Sequence, residues 1–229
     1  MPRTFTTTLA TLSALAVVAC SMPVEAAPVN YVVNGSFEDG LNGWTIGGID
    51  AQGFPPVAIF YGAASPYPTG AFGEAIPQNN APTNSPDAVG ARAAYFVSDL
   101  ASNQSLFQMI GPLAAGMYQI GFSAYAPGNG YANFHDARFS GVVASVALAN
   151  YAVSTGPSQT WQTFAGAANL AGGSYLVEFV FNTNGVPAKD VVIDQVYVVD
   201  GNPSVVPEPA TLMLLGAGLI GAAARRRRK

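Results

Sequence analysis

Cysteine, histidine and charge are all scarce in this 229-residue chain, which has one Cys, one His and 10% charged residues. About 25% charged would be ordinary. A single Cys leaves no disulfide framework and no cysteine-cluster zinc site. A single His excludes multi-histidine metal catalysis. No Gly-x-Ser-x-Gly elbow marks a serine nucleophile, and no phosphate-binding loop is present. His135 and Asp136 are sequence neighbours, and on a strand they would point to opposite faces. Glu38-Asp39 and the Asp190/Asp194 pair read as turn groups rather than a hydrolytic pair. The chain is therefore expected to be a non-enzyme, with no catalytic residues.

Half the residues are apolar, and Gly (25), Pro (17) and aromatics (13 Phe, 10 Tyr, 2 Trp) are plentiful. The few basic residues are unevenly spread. Five of nine form the run Arg225, Arg226, Arg227, Arg228, Lys229, and one is Arg3. Only Arg92, Arg138 and Lys189 lie between. At the N-terminus, Arg3 precedes the uncharged apolar stretch Leu9 to Cys20, and Val24-Glu25-Ala26 is a small-residue cleavage site before Ala27. This is the layout of a secretory signal, residues 1–26, cut between Ala26 and Ala27. The apolar stretch is too short to span a bilayer, which takes ~20 residues. A buried N-terminal helix is the bland alternative. A second alternative is the lipoprotein-like box Val17-Val18-Ala19-Cys20, which would leave a lipidated Cys20.

The C-terminus is tripartite. Pro207-Glu208-Pro209 precedes fifteen uncharged residues, Ala210 to Ala224, and then the basic cluster. The two prolines break strand or helix and leave an exposed, extended site. As a helix the apolar part is ~22 Å long, marginal for a ~30 Å hydrocarbon core. The arginines would stay on the cytoplasmic side. A permanent membrane anchor is the competing reading. A nucleic-acid arm is excluded, because these arginines sit directly behind an apolar helix rather than on a detached basic tail.

On Pro207-Glu208-Pro209, the Gly-punctuated stretch Leu212 to Ala224 and the arginine cluster, residues 204–229 resemble the PEP-CTERM sorting signal of Gram-negative bacteria. The resemblance implies recognition by an exosortase-type processing enzyme, cleavage near Pro207-Glu208-Pro209, and transient membrane contact through the tail. It also implies release to the cell surface or extracellular matrix of bacteria that make extracellular polysaccharide.

Residues 27–203 then form one domain. Between Ala27 and Val206 it carries 11 acidic and 3 basic residues, a net of −8. Alternation of period two runs through Ser174 to Phe181 and Met117 to Tyr125, and Val191 to Val199 is rich in β-branched residues. Further strands are expected at Tyr31 to Val33, Trp44 to Ile46, Val57 to Phe60, Ala91 to Val97, Ser105 to Ile110, Phe139 to Ala149 and Thr160 to Phe164. Gly111-Pro112, Pro127 to Gly130, Gly156-Pro157, Ala171 to Gly173 and Asn184-Gly185 read as turns. Ten or so short strands argue an antiparallel sandwich. From Gly47 to Pro86 alternation is lost, and that segment is expected to supply one strand and wrap a surface.

Asn34-Gly35-Ser36-Phe37-Glu38 with Gly43-Trp44 resembles the opening of secreted carbohydrate-binding modules of the galactose-binding-like type. Ser105 to Gln108 leading into Ala115 to Tyr118, Trp161 with Phe164, and Lys189 to Val196 extend the resemblance. It implies an all-β, antiparallel jelly-roll β-sandwich, here flanked by an N-terminal signal helix and a C-terminal apolar helix. It also implies a structural calcium where the first and last strands meet, on Glu38 and Asp194, with Asn34 or Asp39 as helpers. The alternative is that Glu38 and Asp194 are half-exposed strand-end carboxylates bonded to backbone amides. Aromatic faces would stack on sugars. The candidates are Tyr61, Tyr67 and Tyr131, then Phe72, Tyr125 and the loop Gly128 to Asp136, while Trp44 and Trp161 read as core. Extracellular polysaccharide is thus the expected partner. A structural biofilm matrix protein or adhesin without a sugar site is the second reading. An ice-binding protein is the third, although no internal repeat supports it.

Overall fold

The computed structural model describes residues 28–50, 53–62, 77–96, 101–127, 137–153, 159–184 and 188–201. Eight strands follow in chain order: β1 Thr45–Asp50, β2 Val57–Phe60, β3 Arg92–Phe96, β4 Ala101–Tyr125, β5 Arg138–Val143, β6 Val146–Ala152, β7 Gln162–Asn182 and β8 Val191–Asp200. All their pairings are antiparallel. No helix of the described residues is long and apolar enough to cross a membrane. The expected flanking helices lie outside the described residues.

The long strands β4 and β7 pair along most of their lengths, with a register break between Ile110 and Leu113. At that break Gly111 has φ +108, and opposite it Gly172 and Gly173 have φ +88 and +122. A Cβ on Gly111 would lie 2.8 Å from the Gly173 carbonyl. Only glycine suits such a close, left-handed crossing. The sheet therefore folds over along this crease. On one side, β1, the first half of β4, the second half of β7, β5 and β6 form a first layer. On the other, β2, β3, β8, the second half of β4 and the first half of β7 form a second layer.

Ring contacts show that the layers face each other. Phe122 of the second layer meets Phe179 of the first at 4.8 Å, and Phe96 meets Phe139 at 5.5 Å. Trp44, expected in the core, is there, stacked 5.3 Å from Phe37. Each such ring removed from water is worth about 1.5–3 kcal/mol, so this phenylalanine core dominates the stability of the sandwich.

Three expectations change. Gly111-Pro112 and Ala171 to Gly173 do not reverse the chain; they crease two continuous strands, so ten short strands become eight. Phe139 to Ala149 is not one strand but the β5–β6 hairpin. Its turn residues Ala144 and Ser145 both have positive φ, 49° and 61°. Neither is Gly or Asn, the usual choices. The turn is instead held from outside: Ser145 N–H donates to the Leu176 carbonyl at 2.8 Å, and Leu176 N–H donates to Ser145 Oγ at 3.1 Å. Finally, Tyr31 to Val33 is a bend rather than a strand. It lies beside β8 through Tyr31 N–H to the Val198 carbonyl, 2.9 Å.

Candidate functional site

Beyond the core, the second layer buries its outer face as well. Tyr95, Tyr125 and Val192 form a second buried cluster there with Ile59 and Ala93, edged by Tyr61 and Trp161. The cover is the segment from Pro77 to Ala91, with prolines at 77, 82 and 86 that keep it out of the sheet. Trp161 Nε1–H donates to the Asn79 carbonyl at 2.8 Å, and Ser123 Oγ–H to the Pro82 carbonyl at 2.6 Å. Gly62 N–H donates to the Pro77 carbonyl, 3.0 Å, and Tyr61 N–H to the Ala91 carbonyl, 2.9 Å. The expected wrapping of a surface by the Gly47 to Pro86 region is seen for Pro77 to Pro86, residues 63–76 lying outside the described residues, and the region supplies the end of β1 as well as β2 rather than one strand.

Glu38 and Asp194, placed far apart in sequence, come into electrostatic contact. Glu38 is exposed, and its Oε1 accepts from Ala91 N–H and Arg92 N–H, both at 2.8 Å. Asp194 is 1% exposed. Its Oδ1 accepts from Gln195 N–H at 2.6 Å, and its Oδ2 accepts from the Tyr61 hydroxyl. Burial, with the Glu38 charge adding to it, pushes the Asp194 carboxyl up to about 7. Burial also drives the Tyr61 hydroxyl strongly upward, helped by the Asp194 charge. Asp194 is thus not a half-exposed strand-end group, whereas Glu38 is bonded to backbone amides as one of the two readings held.

Gln195 follows in the left-handed region, φ +55, at a register break in β8. Its side chain is 1% exposed, and neither Nε2 nor Oε1 makes a hydrogen bond among the described residues. The donor set suits a hard cation: two carboxylates and an unsatisfied amide oxygen, all oxygen ligands of the type Ca²⁺ takes. Among the described residues no cluster holds three or more His, Cys, Asp or Glu. Backbone carbonyls would have to complete any coordination shell. Asn34 spends its side chain elsewhere, donating to the Gly40 and Asn42 carbonyls at 3.0 Å each. Asp39 is likewise engaged, its Oδ2 accepting from Asn42 Nδ2 at 2.7 Å.

Of the aromatic candidates, Tyr61 stands edge-on to Trp161 at 6.0 Å, and Tyr125 tilts against the same indole at 5.6 Å. Trp161 is therefore not part of the main core but the hub of the outer cluster. Tyr67, Tyr131, Phe72 and the loop Gly128 to Asp136 lie outside the described residues. So do Ala26, Ala27, Pro207, Glu208, Pro209 and the basic cluster. Sequence reading missed Tyr95, Ser123 and Tyr197. Their signal was present in the alternation of β3, β4 and β8, whose second faces carry tyrosine and serine instead of solvent-facing charge.

The first layer has a different outer face. Phe107, Glu178, Val180, Ser140 and Val142 are half-buried there, and Met109 is 59% exposed. Amide pairs border it, with Asn182 Nδ2–H donating to Asn103 Oδ1 at 3.1 Å and Arg138 Nε–H to Asn150 Oδ1 at 2.8 Å. This is an open apolar strip with hydrogen-bonding edges.

Residues 205–228 match the PEP-CTERM protein-sorting motif. The chain carries a PEP-CTERM sorting signal. That signal indicates export, with surface or matrix localisation, and implies processing by an exosortase. No curated protein matches the chain. Among solved structures, the chain is similar to the carbohydrate-binding module TmCBM61 in complex with β-1,4-galactotriose (18% identity, 75% of this chain and 99% of that one, TM-score 0.45). It is also similar to a family 16 carbohydrate-binding module (11%, 75% and 100%, TM-score 0.41). A third is an adhesin domain of Lys-gingipain from Porphyromonas gingivalis (17%, 76% and 99%, TM-score 0.43). Beside the PEP-CTERM signal, these similarities are of a looser kind.

Proposed function

We propose that this chain is a non-catalytic surface or extracellular-matrix protein whose jelly-roll β-sandwich binds extracellular polysaccharide. The observation that carries this reading is the open outer face of the first layer. Phe107 offers a ring for the apolar face of a sugar, and Glu178, Ser140, Asn103, Asn182, Arg138 and Asn150 stand where hydroxyls would meet donors and acceptors. A domain with a net charge of −8 favours neutral chains over polyanions.

The processed protein should bind soluble exopolysaccharide saturably in affinity electrophoresis, and Phe107→Ala should weaken retention at least tenfold with the fold intact by circular dichroism. Absence of retention by any polysaccharide would replace this reading with a structural matrix protein or adhesin acting through protein contacts. Intact mass of the exported protein checks the ends: it should begin at Ala27 and end near Pro207-Glu208-Pro209.

A structural calcium belongs to the same reading. Glu38, Asp194 and the Gln195 amide oxygen would hold it, and its charge would relieve the repulsion between the two carboxylates. The melting temperature should fall in EDTA and recover with added Ca²⁺; an unchanged value would sink the calcium assignment.

A further inference from the structure

The segment from Pro77 to Ala91 meets the outer face of the second layer through backbone carbonyls, with Pro77 and Ala81 buried. The indole N–H of Trp161 and the hydroxyl of Ser123 both point at its carbonyls, and Tyr197 hydrogen-bonds the side chain of Asn84. Ser123 Oγ also meets Thr163 Oγ1 at 3.2 Å. Gly121 leaves the space over which the Tyr197 ring lies, since a Cβ there would be 2.7 Å from that ring. The outer face is thus paved with flat rings and directional donors. In the buried cluster of the same outer face, Tyr95 is 1% exposed and its hydroxyl has no partner among the described residues. A buried hydroxyl left without a bond is unfavourable. The closed arrangement therefore leaves polar capacity unused that a ligand of many hydroxyls would employ.

We propose that residues 77–91 are a displaceable strap whose carbonyls stand in for a ligand, and that moving it aside uncovers a second face for a neutral, polyhydroxylated chain such as a polysaccharide. The strap's internal bonds favour movement as a unit. Ser85 N–H donates to Thr83 Oγ1 at 2.6 Å and Asp87 N–H to Ser85 Oγ at 3.2 Å, both bonds local to the strap. Its far end is moored at two points, Asn30 Nδ2–H to Asp87 Oδ2 at 2.8 Å and the Glu38 carboxylate on the amides of Ala91 and Arg92. These moorings make the C-terminal end the hinge and the Pro77 to Pro82 end the part that lifts. The carboxylates of Glu38, Asp87 and Asp194 around the face argue for a neutral ligand. Only the ligand class rests on the polysaccharide reading above; the opening of the strap does not.

Two measurements on the full chain test the proposal. In native-state hydrogen exchange, the Gly62 amide, bonded to the Pro77 carbonyl, should exchange at least a hundredfold faster than the paired amides of Ile120 and Phe122. Exchange of Gly62 at their rate would overturn the strap. In affinity electrophoresis against soluble neutral glucans, xylans and galactans, the loosened variant Asp87→Ala loses the side-chain bond to Asn30 that moors the strap and keeps the outer-face donors Trp161 and Ser123. Its retention should rise at least threefold, and the gain should persist when Phe107→Ala disables the open face. A gain with an inert open face would sustain this second face while rejecting the first. No gain, with the hydrogen-exchange pattern as stated and the fold intact, would reject the ligand face.

Discussion

On the inner face of the second layer, Phe96, Phe122 and Phe164 pack against Phe139, Tyr151 and Phe179 of the first. On the outer face of the same strands, Tyr95, Ser123, Tyr125, Asp194 and Tyr197 are all less than 9% exposed, and Ser123 bonds the Pro82 carbonyl of residues 77–91. Solvent is excluded from both, but by different forces. The inner face is held by apolar area, which has no direction and adds about 1.5–3 kcal/mol per ring. The outer face is held by single hydrogen bonds to carbonyls, each netting about 0.5–1.5 kcal/mol and each dependent on one geometry. The first kind of burial makes a domain; the second kind makes a cover that local opening can undo.

The contrast can be broken most directly at Phe179, which touches Trp44, Phe122 and Phe139. Phe179→Ala should cost about 3–5 kcal/mol in urea unfolding, a loss that the outer-face rings should not match. An equal loss from Trp161→Ala would make the outer cluster a second core and weaken the case for a strap.

The next effect concerns pH. The folded Asp194 carboxyl is held near 7, whereas an unfolded Asp titrates near 3.9. Between about pH 4 and 7 the folded state therefore keeps a proton that the unfolded chain has released, so stability falls as pH rises through that window. In EDTA the urea midpoint should drop from pH 5 to pH 8, by at most about 3 kcal/mol of stability, and Asp194→Asn should flatten the profile. A flat profile in the native chain would contradict the burial of this carboxylate beside Glu38.

Smaller changes sharpen the comparison. A Cβ on Gly141 would lie 2.6 Å from the Phe122 ring, so Gly141→Ala should cost about 1–3 kcal/mol by overpacking the inner face. Tyr95→Phe removes only the unpartnered hydroxyl of the outer cluster. Its thermal midpoint should stay level or rise, by less than ~1 kcal/mol of stability; a clear loss would reveal a partner for that hydroxyl.

Much of this was legible from residue order. Residue order located β2 at Val57–Phe60 to the residue, β3 and β8 to within about one residue of each end, and Trp44 in the core. The apolar tail behind Pro207-Glu208-Pro209 and ahead of five basic residues was readable as a sorting signal because its chemistry is local and linear. Scarce Cys and His bounded the chemistry in the same way. The rest depended on distant partners. Whether Gly111 and Gly172-Gly173 reverse the chain or crease it is decided by the two strands lying opposite each other. The Ala144-Ser145 turn exists because Leu176 supplies its hydrogen bonds. Glu38 and Asp194 become coupled because the 155 residues between them fold back on themselves. The β-branched run marked β8 as a strand, yet not that its outer face is covered, since that depends on the path of Pro77 to Ala91 across the sheet.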